Sequence, residues 1–320
     1  MAKERDPRST SGKSAMLVSS SLAAVSLAIW WRSLASSLAL GWRDDRYTHI
    51  LLILPISMVL LILDWDADAC PDRSKAFIGG TFLVVAASIT AWARWRSGIL
   101  SSDIELSINM LGLVLWWVGA FSIGFGMKAL RRALFPLLFL LWIVPLPEFA
   151  VNAVIRWLQQ GSAAAAHFLF SVVGVPVERQ GTLLSISGRV IPDLIMEVAP
   201  ECSSIRSSSI LLVITMVLAH LLLRSRWRKL LVVAVALPLS VAKNGLRIFT
   251  IGFLATRVDP SFLTGRLHRQ GGIIFLLAAL AAVIALIWIL RWTEAGETVL
   301  ERRKHPAESP RSIARRPNLR

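Results

Sequence analysis

What most constrains this chain is the recurrence of long apolar stretches that are almost free of charge. Most are close to the length, about 17–20 residues, that crosses the hydrocarbon core of a bilayer. They lie near Ala15–Trp31, Ile50–Leu63, Ala76–Ala93, Asn109–Gly126 and Ala133–Pro147, then near Ser203–Leu223, Lys229–Asn244 and Gly272–Leu290. In hydrocarbon no water can satisfy a free backbone N–H or C=O, so each stretch is expected to be helical. A water-soluble globule of 320 residues could not hide a chain that is 55% hydrophobic and only 17% charged. The sequence therefore predicts an all-α polytopic membrane protein with about eight transmembrane helices. That leaves no room for a large soluble domain.

Two segments break the pattern. Phe149–Val177 is interrupted by Arg156, Gln159 and Gln160, which predicts an interfacial or re-entrant helix. Glu178–Val198 alternates apolar and polar residues around Ser187-Gly188-Arg189, which predicts a small extracytoplasmic β-hairpin. The expected organisation is a basic cytoplasmic tail over 1–14, a transmembrane domain over 15–292 and a disordered cytoplasmic tail over 293–320, polar and rich in proline. Trp30, Trp31, Trp42, Trp65, Trp92, Trp95, Trp142, Trp288 and Trp292 fall near span ends, where amphipathic rings prefer to sit.

The formal net charge of +15 would suit a nucleic-acid binder, but the basic residues lie between spans and not on a compact domain. They serve topology better than DNA. With eight spans, the larger share of Lys and Arg falls on the side of both termini. The cluster Arg224, Arg226, Arg228 and Lys229 is the sharpest marker. The positive-inside rule then puts both termini in the cytoplasm and the segments before Ser203 and after Asn244 outside. Cys70 falls in a cytoplasmic loop and Cys202 at the outer surface, so the two cysteines are not expected to pair. A lone thiol facing an oxidising compartment points to chemistry.

Polar residues concentrate between Ala199 and Gly272. Cys202 opens a long apolar helix, and the free N–H groups and partial positive charge of a helix N-terminus favour a thiolate. Arg206 lies one turn on, on the same face. The following span is expected to end at Lys243-Asn244-Gly245-Leu246-Arg247, and the last to begin just after His268. Cys202, Arg247 and His268 thus reach the same membrane surface from three helix ends. Thiol, guanidinium and imidazole are the parts of a cysteine acyl-transfer centre. Asn244 and Glu201 are supporting residues, Asn244 orienting Arg247 or capping a helix. Arg206 is either catalytic support or a partner for Glu197 or Glu201. Lys243 and Arg257 read as snorkelling interface residues, and His220, within a span, as structural.

At these positions the chain resembles the exosortase/archaeosortase family of membrane-embedded cysteine transpeptidases. Glu201-Cys202-Ser203-Ser204-Ile205-Arg206-Ser207 is similar to the family's cysteine motif, with Ser204 in place of glycine. Asn244-Gly245-Leu246-Arg247-Ile248 resembles its Asn-x-x-Arg-Ile element, and His268 its histidine before the last span. Tyr47-Thr48-His49 resembles a Tyr-Ser-His element, the proline-bounded run Pro136–Pro147 an apolar span of the family, and Gly174-Val175-Pro176-Val177 a Gly-Ile-Pro-Val stretch. The resemblance implies catalytic roles for Cys202, Arg247 and His268. Tyr47 and His49 would line a substrate groove. Its substrates would be exported proteins with a Pro-Glu-Pro-like C-terminal motif, one transmembrane helix and a basic tail, transferred to a lipid or surface glycan in a bacterial inner membrane. No cofactor and no metal site are expected: no His has a metal-type spacing with Cys or a carboxylate. A polytopic transporter or a lipid-glycan flippase for exopolysaccharide export is the main alternative, and a non-catalytic assembly factor a third.

Overall fold

A computed structural model of the protein describes residues 7–64, 76–198 and 205–304, with side chains over 17–64, 77–198, 205–265 and 271–294. The helices are α1 (Pro7–Arg43), α2 (Ile50–Leu63), α3 (Ala76–Trp95), α4 (Ser102–Arg132), α5 (Leu134–Phe139), α6 (Glu148–Val172), α7 (Ile205–Leu222), α8 (Arg226–Arg257) and α9 (Arg266–Lys304). Three short strands follow α6: β1 (Val177–Gln180), β2 (Leu183–Ser187) and β3 (Asp193–Glu197). Among the described residues seven helices are long and apolar enough to cross a membrane, and eight if a bent pair counts as one span. Of the span Gly271–Glu294 only 17% is buried, so most of its apolar side chains face outward, as lipid contact requires. The chain is an all-α polytopic membrane protein.

The chain divides into two compact units, one of 1–160 with 198–210, the other of 161–197 with 211–320. In the first, α1 and α3 pack on α4. Gly79 and Gly119 let α3 and α4 meet backbone to backbone: a Cβ on either would lie 2.9 Å from the other's carbonyl oxygen, the small-residue contact usual between helices in lipid. Indoles at the helix contacts find partners. Trp30 donates to Thr90 Oγ1 at 3.2 Å, Trp116 to the Leu22 carbonyl at 2.9 Å and Trp117 to Ser26 Oγ at 2.9 Å. In the second unit, Leu211 and Ala219 on α7, Val232 on α8, and Ala279, Val283 and Ile287 on α9 form a buried apolar cluster.

Several boundaries differ from the sequence expectation. The stretch Ala133–Pro147 is not a straight span: α5 and a 3-10 turn (Leu140–Ile143) lead into α6 with a 96° bend, because Pro145 and Pro147 cannot continue a helix. The hairpin carries a third strand, giving an antiparallel meander in the order β1-β2-β3. Its first turn uses Gly181 at φ +65°. Ser187-Gly188-Arg189 leads from β2 to β3, where Arg189 and Val190 both donate to the Thr256 carbonyl at 3.0 Å. Helix α8 does not stop near Asn244 but runs on to Arg257, since Ile248, Phe249, Ile251, Phe253 and Leu254 continue its apolar face. Helix α9 extends through Lys304, so helix replaces the expected disorder over 293–304. Residues 305–320 lie outside the described residues, as does Cys70.

Candidate active site

The first unit contains a broken helix whose exposed backbone groups are taken up by side chains from three other elements. Between Ile143 and Glu148 the chain leaves helical geometry at the bend. Ser37 on α1 donates to the Ile143 carbonyl at 3.2 Å and Ser107 on α4 to Pro145 at 2.7 Å. Tyr47 donates to the Leu146 carbonyl at 2.9 Å, and the Glu148 N–H reaches Asp103 Oδ2 at 2.8 Å. Non-helical backbone at membrane depth survives only where its polar groups find such partners. The Tyr47 element and the proline-bounded run are therefore two halves of one construction. Tyr47 is only 6% exposed, so its side chain supports this bend and does not line an open groove. His49 stands edge-on to Trp142 at 5.8 Å, with Nδ1 buried and without a hydrogen-bond partner among the described residues. Ser37, Ser107 and Asp103 were missed by motif reading, since isolated small polar residues in apolar runs carry no pattern.

The connection between α1 and α2 also reaches the cysteine motif. Asp44 caps the short turn Asp45–Tyr47 by accepting from the Arg46 N–H at 2.9 Å, and it pairs with the Arg46 guanidinium at 2.7 Å. That hydrogen-bonded guanidinium holds the Asp44 carboxyl below its ordinary range. The neighbouring Asp45 pairs with Arg206, in the first turn of α7, at 2.8 Å. Arg206 therefore meets Asp45, where Glu197 or Glu201 was the expected partner. Glu201 and Cys202, just ahead of α7, lie outside the described residues. The backbone leading towards them is anchored where Gln159 on α6 donates to the Val198 carbonyl at 2.7 Å.

In the second unit Asn244 sits inside α8, not at its end, so it caps nothing. It is 2% exposed, and its Nδ2 donates to Ser162 Oγ on α6 at 2.9 Å. The adjacent Gly245 permits this approach: a Cβ there would lie 3.2 Å from the Ser162 carbonyl oxygen. Arg247, half-buried, follows on the same helix. Lys243 is 6% exposed, so it is an interior residue and not a snorkelling one. A buried lysine beside Asn244 and Arg247 on an apolar helix is a functional candidate by its cost alone. The signal was the unbroken run Lys243-Asn244-Gly245-Leu246-Arg247, read as a helix end because Gly245 interrupts it. His268 lies in the first turn of α9, and its side chain is outside the described residues. Among the described residues no group of three or more His, Cys, Asp or Glu could hold a metal ion.

The structure thus joins Arg206 to the Tyr47 loop within the first unit, and Asn244 to α6 within the second, where Arg247 and His268 also lie. A family model described as transmembrane exosortase matches residues 41–285. That range takes in the Tyr47 loop, the bend at Pro145, and Cys202, Arg206, Asn244, Arg247 and His268. No curated protein and no solved structure matches the chain. With the family model covering most of its length, the chain belongs to the transmembrane exosortase family.

Proposed function

We propose that this exosortase is a cysteine transpeptidase that removes the C-terminal sorting signal of exported, membrane-anchored proteins. The observation that carries the reading is the family match over residues 41–285, a range that contains the motif-like stretches Glu201-Cys202-Ser203-Ser204-Ile205-Arg206 and Asn244-Gly245-Leu246-Arg247 and the residue His268. In the proposed reaction the Cys202 thiolate attacks the carbonyl carbon of the scissile peptide, forming a C–S bond. Arg247 neutralises the oxyanion of the tetrahedral intermediate. As the C–N bond breaks, His268 gives its proton to the leaving amine. The neutral imidazole then takes a proton from the acceptor hydroxyl or amine, which displaces the thiolate from the thioester. Substrates would carry a Pro-Glu-Pro-like motif, a transmembrane helix and a basic tail. The acceptor would be a lipid or a surface glycan.

The excess of Lys and Arg on one side supports cytoplasmic termini and an outward-facing Cys202, and the family likeness points to a bacterial inner membrane. Arg206 and Asn244 act through position: Arg206 fixes the start of α7 on Asp45, and Asn244 fixes α8 on α6. A flippase would need polar residues lining a path across the bilayer, and it gives the Cys202 motif no task. The reading is tested by following a reporter protein with a sorting signal in cells carrying Cys202→Ala, Arg247→Ala or His268→Ala. Each variant should be present in the membrane at the wild-type level and leave the reporter uncleaved. Normal cleavage by Cys202→Ala would overturn the proposal and favour a transporter or assembly factor.

A further inference from the structure

A cavity of about 510 Å³ lies within the first unit, lined by α1, the end of α3 and the start of α4. It falls in the about 300–1,000 Å³ range of ligand sites. Trp31, Arg32, Arg94, Glu105 and Asn109 line it. Its level along the helices is fixed by two contacts: Arg94 donates to the Ile29 carbonyl at 2.6 Å, and Trp30 donates to Thr90 at 3.2 Å. The cavity therefore sits where α3 ends and α4 begins. Trp31, Trp92 and Trp95 are all exposed at that level, which is the position of an interfacial aromatic belt.

The polar lining is unsatisfied in a specific way. Arg32 and Glu105 face the same cavity, yet among the described residues they form no ion pair with each other or with any other group. Asn109 is 4% exposed, and its Nδ2 is committed to the Glu105 carbonyl at 2.8 Å. Its Oδ1 is buried with no hydrogen-bond partner among the described residues. A buried acceptor left without a donor is destabilising. The cavity thus offers cations for an anion, and at the same time a carboxylate and an amide oxygen that need a hydrogen donor. Inorganic phosphate would meet only the first requirement.

We propose that this cavity binds the head group of a phospholipid whose phosphate is esterified to an N–H-bearing amine. The phosphate pairs with Arg32 and with the nitrogens of Arg94 not used on Ile29. The ammonium donates to Asn109 Oδ1 and Glu105. The acyl chains leave past Trp31 into the bilayer.

The test uses the full-length protein, delipidated in a non-ionic detergent, and native mass spectrometry with four probes. These are dioctanoyl phosphatidylethanolamine, dioctanoyl phosphatidylcholine, soluble glycerophosphoethanolamine and inorganic phosphate. Phosphatidylcholine keeps the phosphate but has no N–H, so it should bind about tenfold more weakly than phosphatidylethanolamine, the effect of a charge-assisted hydrogen bond. Asn109→Leu should narrow that discrimination, and Asn109→Leu combined with Glu105→Leu should abolish it. Arg32→Gln, an exposed position that leaves the packing intact, should weaken both lipids by about the same tenfold factor. Equal binding of the two lipids by the wild-type chain, or full discrimination that survives in the Asn109→Leu, Glu105→Leu double variant, would overturn the proposal. So would glycerophosphoethanolamine or inorganic phosphate binding as tightly as the lipid, since either would make the ligand a soluble phosphate.

Discussion

Asn244 belongs to a stretch that resembles the family's Asn-x-x-Arg-Ile element, yet its geometry gives it a mechanical task that can be measured apart from catalysis. Its amide and the Ser162 hydroxyl are both buried, 2% and 0% exposed, and meet at 2.9 Å. Removing either partner leaves the other buried without this bond, a loss of about 1–3 kcal/mol. Asn244→Ala should be the more damaging, because it also opens a void. The interaction itself is smaller than either single loss, since hydrogen bonds between membrane helices average about 0.6 kcal/mol and reach about 1.7 kcal/mol. A double-mutant cycle of Asn244→Ala and Ser162→Ala, read by tryptophan fluorescence during SDS unfolding in mixed micelles, should return a coupling in that window. Ser162→Ala should also lower reporter cleavage, although serine is absent from the proposed chemistry. If Ser162→Ala is within about 0.3 kcal/mol of wild type and the two losses simply add, the locking role is refuted. Asn244 would then act directly on Arg247 or the substrate.

Four further outcomes follow from the described contacts. Arg228 is 3% exposed and pairs at 3.5 Å with Glu294, which also accepts from the Arg224 and Ser225 N–H groups at 3.1 and 2.9 Å. Arg228→Met should therefore cost about 3–5 kcal/mol in SDS unfolding, and adding Glu294→Gln should recover much of it. Asp45→Ala and Arg206→Ala should lower reporter cleavage alike. The charge swap Asp45→Arg with Arg206→Asp should restore it if Arg206 works by docking, and a swap as inactive as Arg206→Ala would mean that the guanidinium has a direct task. Tyr47→Phe strips the Leu146 carbonyl of its donor, so hydrogen exchange at the Val144–Glu148 bend should quicken, and unchanged exchange would contradict the supporting role. The Asp44 carboxyl is held below its ordinary value of 3.8 by Arg46. Its contribution is complete above that value and is lost as pH falls through the lowered one. Limited acid proteolysis between α1 and α2 should therefore increase only at the acid end, and Asp44→Asn should show the same exposure already at neutral pH.

Fold class was legible because hydrocarbon forces helix wherever apolar runs are long enough, and no tertiary knowledge is needed for that step. Boundaries were less legible for two physical reasons. Glycine marks a helix end in water, but Gly245 is an interior residue here because α6 presses against it. Proline at 145 and 147 signalled a break without saying that the broken backbone would be satisfied by Ser37, Tyr47 and Ser107. Tyr47 read as a groove residue because motif position says nothing of burial. Arg228 read as one more cytoplasmic charge in the Arg224–Lys229 cluster, and its pairing with Glu294 joins positions too far apart in sequence for pattern to connect. The motif-like stretches, by contrast, were local in sequence, so the candidate residues could be named before any geometry was known. Cys202 itself is known only by sequence, at the head of a helix whose first turn is pinned by Arg206.

The central claim is that Cys202 forms a covalent acyl intermediate. The most direct measurement is mass spectrometry of the full-length protein, quenched in acid during turnover of a sorting-signal substrate. The account predicts a substrate fragment on the peptide containing Cys202, released by neutral hydroxylamine as a thioester must be, and absent from Cys202→Ala. Cleavage that continues in Cys202→Ala, or an adduct on another residue, would contradict it.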